Sequence, residues 1–172
     1  MIYMKTFRSL FLLVVLILSP AFLMAQKTVY YQSVNQEIQK AKELYLAQNY
    51  ISAKAQFEKI ADEADHNTDI RAEAMFYKAM CSLKLDNGNA EDQVAAYLKQ
   101  YPESSFRNRA LYEEAVYQFD NKKYPAVLKT MEDIDKTALS EEDLAHFYYM
   151  RGYANFEKEK FDAALTDFAE IK

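Results

Sequence analysis

"LYEEAVYQFDNKKYPAVLKTMEDI", residues 111–134, decides the fold. It reads as two amphipathic helical segments joined by the polar turn "DNKKY". The first puts Leu111, Tyr112, Ala115, Val116 and Phe119 on one helical face. The second puts Val127, Met131 and Ile134 on one face. One hairpin of this size cannot bury both stripes against itself, so something else must cover the remainder.

The cover is found by stepping along the chain in units of 37 residues. Val127 then aligns with Ala53, Ala90 and Ala164; Met131 with Phe57, Val94 and Phe168; Ile134 with Ile60, Tyr97 and Ile171. Three apolar columns over four units at one fixed period mark an internal repeat. The segments before them align too, as "EIQKAKELYL" (37–46), "MFYKAMCSLK" (75–84), "LYEEAVYQFD" (111–120) and "YYMRGYANFE" (148–157). Their fifth column is small (Ala41, Ala79, Ala115, Gly152), and their ninth is aromatic or apolar (Tyr45, Leu83, Phe119, Phe156). The second unit runs one residue out of step here, because its connection through the turn "LDNGNA", "LKLDNGNA" from column nine, is one residue shorter than "FDNKKYPAV". Length changes belong in turns.

Turn and cap chemistry agrees with this register. "NY" (49–50), "DNGN" (86–89), "KKYP" (122–125) and "KF" (160–161) separate helix A from helix B of each unit. Pro125 suits the first turn of a helix. Asn89 is expected to cap helix B of the second unit, and Ser140 with Asp143 to form a capping box opening the fourth. Pro102 stops the second helix B. The small residues of helix A are expected to face the small residues of helix B, where two helices cross closely. Each hairpin is then covered by its neighbours, as in a solenoid.

These residues resemble tetratricopeptide repeats. The likeness rests on the small residues in helix A, on Tyr50, Tyr124 and Phe161 at the turn, on Ala53, Ala90 and Ala164, on Phe57 and Phe168, and on Pro102. It covers residues 34–172. The repeat is longer than that family's usual unit, Trp is absent, and the position before the small residue is charged (Lys40, Lys78, Glu114, Arg151) where the family usually has Leu. The resemblance implies an all-α, right-handed α-solenoid of about four antiparallel helix pairs over residues 35–172. It is similar to exported tetratricopeptide proteins of Gram-negative envelopes.

Composition fits an all-α chain. Of 172 residues, two are Gly and three Pro, too few for the tight turns of a β protein. Residues 1–25 read as a signal peptide: Lys5 and Arg8, an apolar run from Leu10 to Leu18, the break at Ser19 and Pro20, and Ala25 before a cut that leaves Gln26. Residues 26–34 form a linker. The apolar run is short for a spanning helix, so no stable membrane insertion is expected after cleavage; an uncleaved anchor is the alternative. Met4 is an alternative start. No Cys stands near the cut to carry a lipid. The exported chain is expected in the periplasm or at the outer membrane.

Cleavage removes two of the 21 basic residues and none of the 26 acidic ones, leaving 19 − 26 = −7. That charge makes the chain a poor candidate for sequence-independent nucleic-acid binding, which rests on clustered Lys and Arg, and no nucleic-acid partner is expected. The lone Cys81 reads as a small core residue. No catalytic constellation is found: His66 and His146 have no ligand spacing, and no Gly-rich phosphate loop exists. No enzyme activity, cofactor or metal is expected.

In tetratricopeptide arrays helix A lines the ligand-binding groove. Carried over, that implies a partner-binding stripe of Phe76, Met80, Tyr112, Val116, Phe119, Tyr149, Tyr153 and Phe156, suited to a protein or peptide partner, for instance in envelope assembly. Glycan capture by an outer-membrane uptake system is the alternative. So is an N-terminal segment of a larger protein, since Leu165, Phe168 and Ile171 leave an apolar face on the last helix and the array is expected to continue beyond Lys172.

Overall fold

A computed structural model describes residues 34–64 and 69–171 of the chain. The leader, the expected cut before Gln26, most of the linker, His66 and Lys172 lie outside the described residues. Residues 34–40 begin a helix, and the compact unit runs from Ala41 onward. The described residues are all-helical. The elements are α1 (34–46), α2 (Tyr50–Glu63), α3 (Asp69–Lys84), α4 (Ala90–Gln100), α5 (Arg107–Asp120), α6 (Tyr124–Glu132), a 3₁₀ turn (Lys136–Ala138), α7 (Glu141–Glu157) and α8 (Phe161–Ala169). From α2 onward each helix packs on the next; α3 also touches α5, and α5 touches α7.

The aligned helix A segments are the C-terminal parts of longer helices, and each ends where the alignment ends, at 46, 84, 120 and 157. The four A–B turns are one structure repeated. Gln48, Asp86, Lys122 and Glu159 all take positive φ, from 50° to 59°. Each donates its N–H to the carbonyl three residues back: Tyr45, Leu83, Phe119 and Phe156. The next residue donates to the carbonyl five back: Leu44, Ser82, Gln118 and Asn155. This paired reversal is the Schellman motif. It satisfies carbonyls that the helix end would otherwise leave open.

A second repeated feature is polar. Ser82 Oγ donates to Gln93 Oε1 at 2.8 Å, Thr130 Oγ1 to Gln118 Oε1 at 2.9 Å, and Asn155 Nδ2 to Asp167 Oδ2 at 3.0 Å. These three pairs occupy matching places between helix A and helix B of the last three units. Ser82, Gln118, Asn155 and Asp167 are all buried. Each pair fixes the register of its two helices, because a slip would strand a buried polar group.

The question raised by residues 111–134 is answered by α7. Tyr112, Ala115, Val127, Met131 and Ile134 form one core with Phe147, Met150 and Ala154. A second core joins Phe76, Ala79, Met80, Ala90, Val94 and Tyr97 to Ala110 of α5. Ser140 caps α7 through its Oγ, which accepts from Asp143 N–H at 3.1 Å. Pro125 lies in the first turn of α6.

Several expectations need correction. Asn89 stands at the cap position of α4, but its Oδ1 accepts from Gln93 Nε2 and not from a backbone N–H. Asn49 does cap α2, accepting from Ser52 N–H. Gly152 makes its closest approach to Phe168 and Asp167. A Cβ there would lie 2.7 Å from the Phe168 ring and 3.2 Å from Asp167 Cβ, so glycine makes room for the Phe168 ring. Phe168, assigned to a core column, is 36% exposed, whereas Phe57, Val94 and Met131 in the same column are buried. No later helix among the described residues covers it. Ile134 and Ile171 fall just outside α6 and α8, which are shorter than α2 and α4.

The charged column before the small residues serves three different ends. Lys78 makes a surface ion pair with Glu58 across α2 and α3 at 2.7 Å. Arg151 enters a buried network with Asp167. Glu114 is half-buried beside Glu91, whose carboxylate is taken by Lys123 and Gln118. Burial first, then repulsion from Glu91, lifts the Glu114 carboxyl from 4.5 to about 7. The folded state therefore holds this proton more tightly than the unfolded one. The associated stability is complete below pH 4.5 and is lost as pH rises to about 7. Glu114→Gln is expected to match the parent in urea midpoint at pH 4. At pH 8 it should exceed the parent by about 2 kcal/mol, after allowance for water at the half-exposed carboxyl. Equal midpoints at pH 8 would show that Glu114 is solvated.

Candidate partner-binding surface

The eight residues of the expected stripe divide into two groups. Phe76, Met80 and Tyr112 are buried and belong to the cores, so they are removed from the surface. Phe76 stacks on Phe106 at 4.8 Å, and the Tyr112 hydroxyl bonds His146 Nδ1 at 3.0 Å. Helix A of the second unit thus turns its aromatic face into the molecule, where α5 closes on it. Val116 and Phe119 are half-buried against the α5–α7 core. Tyr149 and Phe156 are exposed, and Tyr153 is partly so.

The second group is continuous, and two turn residues join it. Phe119 lies 5.9 Å from Tyr149 and 5.6 Å from Tyr153, both edge-on. Tyr124 lies 6.2 Å from Phe119 and 5.8 Å from Tyr153. Tyr153 meets Phe156 at 6.5 Å, and Phe156 meets Phe161 at 5.6 Å. His146 stacks near Tyr149 at 6.4 Å. The result is a belt of aromatic rings along α5, α7 and their turns. Edge-to-face contacts hold the rings in place, so little entropy is lost when a ligand covers them.

The belt follows from the repeat. The ninth residue of helix A meets the turn aromatic five residues on in three units: Tyr45 with Tyr50 at 5.4 Å, Phe119 with Tyr124, and Phe156 with Phe161. In the first unit Tyr45 is then taken up by Tyr77 at 5.4 Å. In the last two the pairs merge through Tyr153. Tyr124 and Phe161 were legible only as turn markers. Their contact with column nine was the available signal.

Electrostatically the belt differs from the rest of the aromatic surface. Lys42 lies over Tyr77, Arg109 over Tyr112, Lys123 over Tyr117, and Arg151 over Phe147 and Tyr148. Among the described residues no such cation covers Phe119, Tyr124, Tyr149, Tyr153 or Phe156. The Tyr153 phenol is raised above its ordinary pKa, chiefly by hydrogen bonding to the Glu157 carboxylate. It stays a neutral donor and acceptor at physiological pH.

A concavity of about 810 Å³ lies elsewhere, lined by Asp69, Glu73, Tyr101, Ser104 and Phe106. Its Tyr101 hydroxyl is sealed from solvent without a partner and so offers nothing to a ligand. The belt is the better candidate. Cys81 is buried and its thiol is pushed up to about 12 by burial, which leaves it an inert core residue.

Fold and surface together define an all-α protein of repeated helix pairs with an exposed aromatic belt. In comparison with known proteins, the chain matches no family model, no curated protein and no solved structure.

Proposed function

We propose that this chain is a non-catalytic interaction scaffold, a right-handed solenoid of tetratricopeptide type, exported to the periplasm or outer membrane, that binds a protein or peptide through the belt. The observation that carries the reading is the unbroken run of rings from Tyr149 through Tyr153 to Phe156, in which Tyr149 is 45% and Phe156 50% exposed, whereas Phe76, Tyr112 and Phe147 of helix A are buried. Large, held rings are the side chains that dominate protein recognition. The leader layout supports export, and the four identical turns support the tetratricopeptide assignment.

The test is a comparison of partner recovery. Tyr149→Ala combined with Tyr153→Ala should cost about 1 kcal/mol of stability and leave the chain folded, because Tyr149 is exposed and Tyr153 only partly covered. It should weaken binding of an envelope protein recovered by the parent chain about thirtyfold or more. Undiminished binding would place the partner surface elsewhere. Binding to immobilised envelope glycans, lost in the same variant, would replace the peptide reading with glycan capture.

A further inference from the structure

The second A–B turn lacks a side chain that the other three have. After the residue at positive φ and the one that follows it, the first, third and fourth units place an aromatic ring: Tyr50, Tyr124 or Phe161. The second unit places Gly88 there, directly after Asn87, and α4 begins two residues later at Ala90. Gly88 is exposed, and a Cβ on it would meet nothing within 4 Å. The turn's hydrogen bonds fall on Asn87 itself. Its N–H donates to the Ser82 carbonyl at 3.2 Å, and its carbonyl accepts from Ala90 N–H at 2.8 Å. The Gly88 N–H has no acceptor among the described residues. The Asn87 side chain is equally free. Asn49, at the same place in the first unit, accepts from Ser52 N–H, and Asn89, Asn108, Asn121 and Asn155 each hold a hydrogen bond through the side-chain amide. The Asn87 amide makes none with a described residue.

We propose that Asn87–Gly88 is a site of covalent self-modification, at which the folded chain converts Asn87 to isoaspartate without an enzyme. The Gly88 nitrogen gives its proton to hydroxide and attacks Asn87 Cγ. The N–Cγ bond forms, the Cγ–Nδ2 bond breaks, and the amide leaves as ammonia with a proton taken from water, which restores the hydroxide. Water then opens the five-membered imide. Attack at Cγ gives aspartate; attack at the main-chain carbonyl gives isoaspartate, whose chain runs through Cβ and Cγ. In sum, one amide and one water become one carboxylic acid and one ammonia, with no oxidant or reductant. Glycine is the residue that permits the attack, because it has no Cβ beside the nucleophile and leaves its peptide free to turn. Isoaspartate adds a backbone methylene between the two groups that hold Ser82 and Ala90, so both turn bonds cannot survive and the second hairpin loosens. Ordinary aspartate would keep them and would place a carboxylate near the start of α4, where it is favourable. The belt uses neither residue, so this site is independent of the partner-binding reading.

The test incubates the purified full chain, folded, at pH 8 and at pH 5, and follows each Asn by peptide mass spectrometry with fragmentation that tells isoaspartate from aspartate. At pH 8 Asn87 should gain the mass of an OH exchanged for an NH2, chiefly as isoaspartate, and the thermal midpoint should fall as it does so. At pH 5 the conversion should be far slower, because the nucleophile forms only with hydroxide. Gly88→Ala should lose the conversion and hold its midpoint. The turn admits that change, since the added Cβ meets nothing and Gly88 does not take positive φ. Asn49 is the internal control: it has the same place in the repeat but is followed by Tyr50 and held as the cap of α2. Conversion of Asn87 only after unfolding in urea would overturn the proposal, by showing that the turn protects it. So would equal conversion at Asn49, or conversion that Gly88→Ala leaves unchanged.

Discussion

Phe57→Ala is expected to cost about 3–5 kcal/mol, and Phe168→Ala about 1 kcal/mol, although the two residues share one column of the repeat. Phe57 is fully buried between α2 and α3, with its ring stacked on Tyr77 at an interplanar angle of 12°. Truncation removes the ring and leaves a cavity that two packed helices cannot close. Phe168 sets one edge of its ring against Gly152 and is 36% exposed, so less area is lost and solvent fills the gap. For a domain of this size the first change should lower the thermal midpoint by about 10 °C, the second by about 3 °C. Equal losses would mean that a further element covers α8 in the folded monomer.

The second large effect lies in the Arg151 network. Asp167 is almost fully buried. Its Oδ1 accepts from Arg151 Nε at 2.9 Å and Nη2 at 2.5 Å, and its Oδ2 accepts from Asn155 at 3.0 Å. Arg151 also lies over the rings of Phe147 and Tyr148, at 4.9 and 5.4 Å. Arg151→Met keeps the bulk of the side chain but leaves the carboxylate buried without its cation. The expected loss is about 3 kcal/mol, below the full range for buried pairs because Arg151 is itself partly solvated. Adding Asp167→Leu should restore most of it, since an apolar pair in that space strands no charge. Lys78→Met, at the same column in α3, should cost less than about 1 kcal/mol, because the Lys78–Glu58 pair is at the surface. Chemical denaturation of the three variants beside the parent measures all of this. If the double variant is no more stable than Arg151→Met alone, the rings over Arg151 matter more than its charge.

These two experiments separate what the sequence by itself determined from what only the tertiary structure decided. The sequence determined the helix pairs and their ends. Apolar spacing, small residues and turn residues act over a few positions, so helix A segments ending at 46, 84, 120 and 157 were legible, and so was the one-residue slip of the second unit. Burial of Phe57, Val94 and Met131 followed from periodicity alone. It did not determine which columns are covered, because coverage depends on a neighbour and not on the residue itself. Phe57 and Phe168 read alike until α3 is seen to seal one, while among the described residues no helix seals the other. Phe76, Met80 and Tyr112 looked like a groove and proved to be core, because α5 and α7 close over helix A faces whose composition suits either place. The polar column of Ser82, Gln118 and Asn155 went unread, since a buried hydrogen bond needs its partner a helix away. The charged column shows the same limit most plainly. Lys78, Glu114 and Arg151 hold one position in the repeat, yet one is a surface ion pair, one a carboxyl pushed up to about 7, and one the centre of a buried network. Charge and spacing are local properties; desolvation and pairing are set by what packs against them.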